Sequence, residues 1–336
     1  MPHYVGLDAS KATTSICIKN EDGDIVREGV AETEPKAIIR FLRGEGRRYK
    51  RIGIEAVSFA PWLYEGLAKA GLPVIFIDAL HAHRILKGRL NKTDRNDARG
   101  IAEMMRLGLY KAVHIKTRES QQAKLLLTAR KLLCLKRDDI DNLVRGALLQ
   151  FGLKIAPGKT YSFADRAGQL APAAGLGREV IDALLSARRA IDSQVKRLEE
   201  LVEASVEADP VCERLMTAPG VGPLVALTYR SAIDVPQRFA RSRDVGVHLG
   251  MTPAAHQSGA VDRKGRISHC GDQATRSALF LAARCVLRKN TRDSALKRWG
   301  LRVADERGYM RALIAVGRRL AVILHRMWLT ESDFRR

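Results

Sequence analysis

The stretch Asn91-Lys92-Thr93-Asp94-Arg95-Asn96-Asp97-Ala98 opens a segment whose pattern predicts a helix through Leu107. Asp94 and Asp97 are three residues apart, so a helix places both carboxylates on one face. The basic residues Lys92 and Arg95 stand beside them, which suits a site that handles phosphates. Taken alone, the two acids are explained by the helix dipole, which favours negative charge in a first helical turn.

The sequence before this stretch predicts a mixed α/β domain over residues 1–112. Apolar or alternating runs bounded by turn residues predict five strands, at 3–9, 13–19, 25–31, 51–55 and 72–78. Helical patterns between them lie at 33–43 and 61–70. The order βββαβαβα favours a mixed sheet flanked by helices, as in the ribonuclease H-like (RuvC-like) architecture.

Two more acids lie where predicted strands end. Asp8 ends the first apolar strand and Glu55 ends the fourth. With Asp94 and Asp97 they make four carboxylates that this topology can bring to one end of the sheet. Repulsion among such acids is relieved by hard divalent cations, so the pattern favours Mg²⁺ or Mn²⁺. Two such ions about 4 Å apart can clamp the attacking and leaving oxygens of a phosphodiester.

Residues 113–209 predict a helical coiled-coil or dimerisation segment. Apolar residues recur every seven positions in two runs, with Ala129, Leu143, Val195 and Leu201 at second seam positions. The first run is Leu126, Leu133, Ile140 and Ala147, and the second is Leu184, Ile191 and Leu198. An ordinary helical core explains the pattern almost as well.

Residues 210–336 predict a basic, mostly α-helical domain that binds nucleic acid. The string Ala218-Pro219-Gly220-Val221-Gly222-Pro223 is typical of a helix-hairpin-helix unit, in which Gly220 and Gly222 let backbone N–H groups approach a phosphate. A plain turn between helices is the alternative. The chain has 58 Lys and Arg against 37 Asp and Glu, a net charge of +21. Over half of this excess falls after Arg241, so nucleic acid is the expected partner.

A serine in this domain is a candidate nucleophile. Ser258 lies beside Gly259, on a predicted loop that continues into Arg263, Lys264 and Arg266. Cations there can hold phosphate oxygens while a serine attacks phosphorus. The sequence shows no obvious base for Ser258, and Ser268 is an alternative in the same basic loop.

The composition argues against several other classes of protein. Five scattered cysteines without a C-x-x-C pair argue against a disulfide framework and a zinc site, and favour a reducing cytoplasmic compartment. No signal peptide is apparent. The apolar segment 310–328 contains four arginines and a histidine, which argues against a membrane span.

Five strings occur together in the order typical of one family. They are Gly6-Leu7-Asp8-Ala9-Ser10-Lys11, Gly53-Ile54-Glu55-Ala56, Lys92-Thr93-Asp94-Arg95-Asn96-Asp97-Ala98, Ala218-Pro219-Gly220-Val221-Gly222-Pro223 and Gln257-Ser258-Gly259. Over nearly its full length the chain resembles the DEDD-type insertion-sequence transposases, which have a RuvC-like N-terminal domain and a C-terminal serine domain. The Lys-Thr-Asp-x-x-Asp-Ala string is the most specific part of the match.

The resemblance implies a site-specific recombinase that excises and inserts its own element, guided by a structured non-coding "bridge" RNA that pairs with donor and target DNA. It implies that Asp8, Glu55, Asp94 and Asp97 hold Mg²⁺. It also implies that Ser258 forms a transient phosphoserine link to DNA. Homodimers pairing into tetramers, with acids and serine from different protomers, are expected in the prokaryotic cytoplasm at the nucleoid.

Four alternatives differ in what they leave unexplained. A RuvC-like junction resolvase shares the four acids and makes Ser258 incidental, but is expected to end soon after the acid domain. A sugar-kinase or actin-like ATPase needs a second glycine-rich phosphate loop, which the sequence lacks. A non-catalytic nucleic-acid scaffold leaves the acids unexplained. A tyrosine recombinase using Tyr229 or Tyr309 lacks an accompanying Arg/His signature.

Overall fold

The structure is a computed structural model that describes residues 1–43, 46, 48–57, 59–87, 93–158, 162–258 and 261–335, with the backbone alone for 254–258 and 261–264. Its chain forms two compact units, Met1–Ile115 and Lys116–Arg336. Each unit has hydrophobic clusters of its own.

The first unit contains the predicted mixed sheet of five strands. Its strands are β1 His3–Ala9, β2 Thr13–Lys19, β3 Ile25–Glu32, β4 Tyr49–Glu55 and β5 Val74–Ile77. Their order is β3-β2-β1-β4-β5. The first three strands form the antiparallel meander, while β4 pairs with β1 and β5 in parallel. The two parallel pairs bring the carboxyl ends of β1, β4 and β5 to the same end of the sheet.

Four helices accompany this sheet. They are α1 Pro35–Arg43, α2 Ala60–Lys69, α3 Ala79–Leu86 and α4 Asp94–Leu107. One sheet face buries Val5, Leu7, Ile52 and Ile54 together with apolar residues of α1 and α2. The other face packs against α4. Helix α3 was not predicted, because its eight residues directly follow strand β5 and are too few to show a helical period.

Glycines let α4 lie directly on the sheet. A Cβ atom at Gly6 would be 2.1 Å from the carbonyl oxygen of Ala98 and 2.4 Å from the backbone nitrogen of Ala102. A Cβ atom at Gly53, opposite Gly6 on β4, would be 2.8 Å from Ile101. Side chains at these positions would therefore push the helix away.

The contacts of α4 also fix its direction. Its early residue Ala98 lies at Gly6, near the middle of β1. Its later residue Glu103 accepts a hydrogen bond at 2.6 Å from the Lys19 ammonium, and Lys19 lies opposite Tyr4 at the start of β1. Helix α4 therefore runs antiparallel to β1, with its first turn at the end of the sheet where β1 and β4 finish.

The second unit is mostly helical, as predicted. Its elements are α5 Arg118–Gln150, α6 Phe163–Leu170, α7 Leu176–Glu207, α8 Pro210–Met216, α9 Pro223–Ile233, α10 Asp244–His248, β6 Pro253–Ser258, β7 Val261–Ile267, α11 Gln273–Val286, α12 Ala295–Arg307 and α13 Tyr309–Leu329. Helix α13 lies at the centre of the C-terminal cluster, where the Tyr229 hydroxyl donates to the Ala321 carbonyl at 2.6 Å. Among the described residues, no helix combines the length and the apolarity that a membrane crossing requires.

Helices α5 and α7 pack along one another, and α6 lies against both. The buried face of α7 contains Ile181, Leu185, Arg188, Val195, Val202 and Val206. Two residues that the heptad pattern places in a seam, Leu143 and Leu201, are instead 58% and 48% exposed. Packing within the unit thus explains part of the heptad pattern, and a coiled coil between protomers stays a prediction.

Candidate functional site

Strands β1 and β4 bring Asp8 and Glu55 to one end of the sheet. The strands are parallel with Leu7 opposite Ile54, and Asp8 and Glu55 are the next residues on each. Both acids are half-buried. Because strand side chains alternate between faces, Asp8 and Glu55 project to the same face as Gly6 and Gly53, two residues earlier. That face is the one covered by α4.

The first turn of α4 supplies the other two acids to this end of the unit. Thr93 caps the helix, since its hydroxyl accepts the Asn96 backbone N–H at 3.2 Å. Asp97 directly precedes Ala98, the residue that lies against Gly6, and is half-buried. Asp94 is exposed one turn earlier. The direction of α4 therefore carries both acids toward the end where β1 and β4 finish.

The four acids share an end of the unit without forming a closed cluster. In the part of the chain that the structure describes, no three His, Cys, Asp or Glu side chains are grouped closely enough to hold a metal ion. The donor set itself fits a hard divalent cation, which takes carboxylate oxygens.

Arg95, which was predicted beside the acids, binds a carboxylate of the sheet. Its Nε and one terminal nitrogen donate to the Glu28 carboxylate at 2.9 and 2.7 Å. The Arg95 side chain is nevertheless 70% exposed. Lys92, the other basic residue predicted beside the acids, lies outside the described residues.

The segment predicted as a serine loop is a β-hairpin. Strands β6 and β7 pair antiparallel, with Ser258 opposite Val261 next to the turn. The backbones of Arg263 and Lys264 lie on β7 opposite His256 and Ala255, and their side chains, like that of Ser258, lie outside the description. Arg266 is exposed farther along β7. Ser268 lies at the other end, where its N–H donates to the Thr252 carbonyl at 2.9 Å. The two candidate serines therefore occupy opposite ends of one hairpin.

The glycine-containing segment at 218–222 connects α8 and α9. Gly220 has a φ of +79°, and a Cβ atom there would be 2.4 Å from the Ala282 carbonyl oxygen of α11. Helix packing alone thus requires glycine at this position. Gly222 precedes α9 and faces open space. The segment borders a cleft of about 430 Å³ that also includes Thr291, Arg292 and Ser294.

A mixed five-stranded sheet followed by a mostly helical region is compatible with the ribonuclease H-like DEDD class of nucleic-acid enzymes. Comparison with known families identifies two matching models, both of transposases. A model of the DEDD transposases of the IS110 type matches residues 5–152, and the model described as "Transposase IS116/IS110/IS902 family" matches residues 212–298. Together they match more than half of the chain. The chain belongs to this family of DEDD-type insertion-sequence transposases, and it is an enzyme that cleaves and rejoins DNA.

Individual relatives agree with this assignment. The chain is 28% identical over 338 residues to the transposase for insertion sequence element IS1111A of Coxiella burnetii, covering 98% of this chain and 91% of that protein. It is 28% identical over 295 residues to a probable family 20 transposase of Pseudomonas aeruginosa, covering 84% and 85% of the two chains. Transposases of the DEDD family typically use divalent metal ions.

Sequence reasoning missed one acid that contacts the candidate site. Glu28, on β3, binds Arg95 and Arg99 of α4, and these bonds hold its pKa at about 2, with the hydrogen bond from Arg99 as the largest cause. Glu28 occurs mid-strand in Ile-Val-Arg-Glu-Gly-Val-Ala-Glu, where nothing distinguishes it from an ordinary solvated strand acid.

Proposed function

We propose that the protein is a site-specific recombinase that excises and inserts an insertion sequence under the guidance of a structured non-coding RNA. The supporting observation is that three elements, the ends of β1 and β4 and the first turn of α4, each bring a candidate acid to one end of the first unit. Element ends and target, as double-stranded DNA, are the substrates.

Asp8, Glu55, Asp94 and Asp97 are proposed to hold Mg²⁺ or Mn²⁺. When bound, such an ion supplies Lewis-acid activation of a phosphodiester. The protein's part is to present four oxygen-rich, anionic side chains from a rigid sheet and a capped helix. Bringing four carboxylates to one site costs electrostatic repulsion, which a bound cation would offset. The four oxygen donors would therefore favour a hard divalent ion over other cations.

Ser258 is proposed to be the nucleophile. Its hydroxyl oxygen attacks a DNA phosphorus, and the bond to one deoxyribose oxygen breaks. The serine proton passes by way of a base to the leaving deoxyribose oxygen, which yields a phosphoserine link and a free sugar hydroxyl. Attack by the hydroxyl of another strand reverses these steps and releases the serine, so strands are joined without an external energy source. Arg263, Lys264 and Arg266, on the paired strand β7, are proposed to hold the phosphate oxygens.

The remaining basic surface is proposed to bind nucleic acid backbones. The open backbone at Gly222, beside Arg292 in the cleft, can accept a DNA phosphate. Gly220, Lys92 and Arg95 remain proposed contacts of the same kind. The net charge of +21 supports a polyanionic partner, which includes the proposed guide RNA.

Homodimers that pair into tetramers are proposed as the active assembly, with the acids and the serine supplied by different protomers. Exposed leucines on α5, including Leu125 at 70%, Leu132 at 53% and Leu135 at 50%, support a contact between copies along this helix. The proposed place of action is the nucleoid in the prokaryotic cytoplasm.

Trapping a covalent intermediate tests the proposal. Protein purified with its RNA is incubated with labelled element-end DNA and Mg²⁺, and denaturing gels reveal any protein–DNA adduct. We expect an adduct with the wild type and with Ser268→Ala, and none with Ser258→Ala. An adduct in Ser258→Ala would move the nucleophile elsewhere. Cleavage by the wild type without an adduct would favour a metal-activated water, as in a junction resolvase. Sequencing the co-purified RNA tests the guide.

A further inference from the structure

Glu28 joins the middle of β3 to the first turns of α4. Its carboxylate accepts hydrogen bonds from Arg95 Nε and Nη2 at 2.9 and 2.7 Å, from Arg99 Nη2 at 2.9 Å, and also from Arg99 Nε. The Glu28 side chain is only 12% exposed. Two arginines four residues apart on one helix thus bind one carboxylate of the sheet.

The same turns of α4 contain two of the candidate metal-binding acids. Arg95 directly follows Asp94, and Arg99 is two residues beyond Asp97. Arg99 also donates to the Asn96 side-chain oxygen at 3.4 Å, and the Asn96 backbone donates to the Thr93 cap. One acid therefore anchors, through two side chains, the helical turns from which Asp94 and Asp97 project.

Glu28 has a second effect, which is electrostatic. Guanidinium groups form strong bidentate hydrogen bonds with carboxylates, so an arginine without a partner next to Asp94 or Asp97 would compete with a cation for those oxygens. Glu28 occupies both arginines. Burial, followed by the charge of Glu28, raises the pKa of the neighbouring Cys17 thiol to about 12, so this thiol stays neutral beside Glu28.

We infer that Glu28 is a positioning residue for metal binding: it fixes the first turns of α4 against the sheet and keeps Arg95 and Arg99 away from Asp94 and Asp97. This inference rests on the proposed metal site. Because Glu28 is only 12% exposed, a purely structural role predicts a general loss of thermal stability that leaves Mn²⁺ affinity unchanged. The positioning role predicts a loss that is specific to metal affinity.

The same helix provides a matched control. Near its C-terminal end, Glu103 accepts hydrogen bonds from Lys19 and Arg106, which lower its pKa to about 2, with Arg106 as the largest cause. Its side chain is 24% exposed. Glu103 therefore joins helix to sheet as Glu28 does, at the end of α4 away from the acids.

The experiment compares full-length wild type, Glu28→Gln, Glu28→Asp and Glu103→Gln. Mn²⁺ affinity is measured by electron paramagnetic resonance of free Mn²⁺, thermal stability is measured in EDTA, and DNA cleavage is measured across a Mn²⁺ titration. We expect Glu28→Gln to weaken Mn²⁺ binding about tenfold, the low end of the effect of residues that orient metal ligands. Saturating Mn²⁺ should restore most of the cleavage rate. Glu28→Asp should lie between the wild type and Glu28→Gln, and Glu103→Gln should bind Mn²⁺ like the wild type.

The possible results distinguish the positioning role of Glu28 from the proposed metal site on which it depends. Wild-type Mn²⁺ affinity in Glu28→Gln, or an equal loss in Glu103→Gln, overturns the positioning role and leaves the metal site standing. Absence of Mn²⁺ binding by the wild type overturns both. If Glu28→Gln fails to fold, Glu28→Asp takes its place in the test, because it keeps the negative charge and shortens the side chain. Wild-type Mn²⁺ affinity in Glu28→Asp would then overturn the positioning role.

Discussion

Asp97 is the candidate acid whose position the α4–sheet contact fixes most closely. It precedes Ala98, which lies against Gly6. If it holds a divalent ion, Asp97→Asn removes a charged ligand and keeps the side-chain shape. We expect DNA cleavage and strand joining to fall by about 10²–10³-fold, the loss seen when one group that stabilises transition-state charge is removed. Cleavage of labelled element-end DNA in Mg²⁺ measures this loss.

The rise in melting temperature on adding Mn²⁺ checks the cause, because a ligand that binds the folded state stabilises it by mass action. This shift should disappear in Asp97→Asn. Asp22→Asn, in the exposed turn after β2, is the matched control and should keep both activity and the shift. Full activity of Asp97→Asn would remove it from the metal site.

The sequence predicts the position of an individual acid best where that acid ends an apolar strand. Asp8 and Glu55 could be paired because parallel strands end together. The structure adds their shared face, which follows from Gly6 and Gly53 two residues earlier. Glu28 could not be found from sequence, because its partners Arg95 and Arg99 are 67 and 71 residues away. A single sequence carries no signal that links such positions.

The element on which the candidate site most depends is α4, and Gly6 sets its distance from the sheet. In Gly6→Ala the new Cβ would lie 2.1 Å from a backbone oxygen of α4, and backbone cannot rotate away as a side chain can. Overpacking of this kind costs about 1–3 kcal/mol, and we expect the upper end. Urea unfolding, followed by hydrogen–deuterium exchange of peptides from each unit, should locate the loss in the first unit.

Gly146→Ala is the contrasting change. Gly146 lies in the interior of α5, and a Cβ atom there would meet nothing within 4 Å. Alanine should therefore stabilise α5 by up to about 1 kcal/mol through helix propensity alone. Equal effects of the two substitutions would show that the close approach of α4 to Gly6 does not limit stability.

Elements with strong local patterns were predicted, and those that depend on partners were not. The five strands and α4 follow from apolar runs and a capped helix start. The hairpin β6–β7 was predicted as a loop, because Ala-Ala-His-Gln-Ser and Asp-Arg-Lys-Gly-Arg show no strand alternation. In α7, the positions predicted to recur every seven residues, Leu184, Ile191 and Leu198, are only half-buried. The buried face instead includes Arg188, which is buried because it pairs with Asp141 of α5.

The whole molecule combines a unit with four candidate acids and a unit that contains the candidate serine and most of the basic surface. Family membership explains why the acids and the serine occur in one chain. One family model matches residues 5–152, most of which lie in the first unit, and the other matches residues 212–298 of the second unit. Neither unit alone contains every group that the proposed serine chemistry needs. The order of the motifs in the sequence predicts that the acids and the serine lie in different units. It does not predict how many protomers contribute them to one active assembly.

Charge distribution gives the prediction that belongs to the molecule as a whole. With a net charge of +21, DNA binding should release counterions, so the logarithm of the association constant should fall steeply and linearly with the logarithm of salt concentration. Fluorescence anisotropy of labelled element-end duplex, titrated from low to physiological salt, measures the slope. A flat response would contradict a basic DNA-binding surface.

The proposed contacts on β7 should account for a defined part of that slope. Each Lys or Arg that neutralises a phosphate contributes about one to it, so Arg263→Gln/Lys264→Gln/Arg266→Gln should reduce the slope by about three. Lys131→Gln/Arg189→Gln/Lys196→Gln removes the same charge from exposed positions on α5 and α7 and serves as the control. If both triple variants reduce the slope equally, the DNA responds to net charge alone, and the hairpin is not a specific phosphate contact. A selective loss in the β7 variant would place DNA phosphates beside Ser258, as the proposed nucleophile requires.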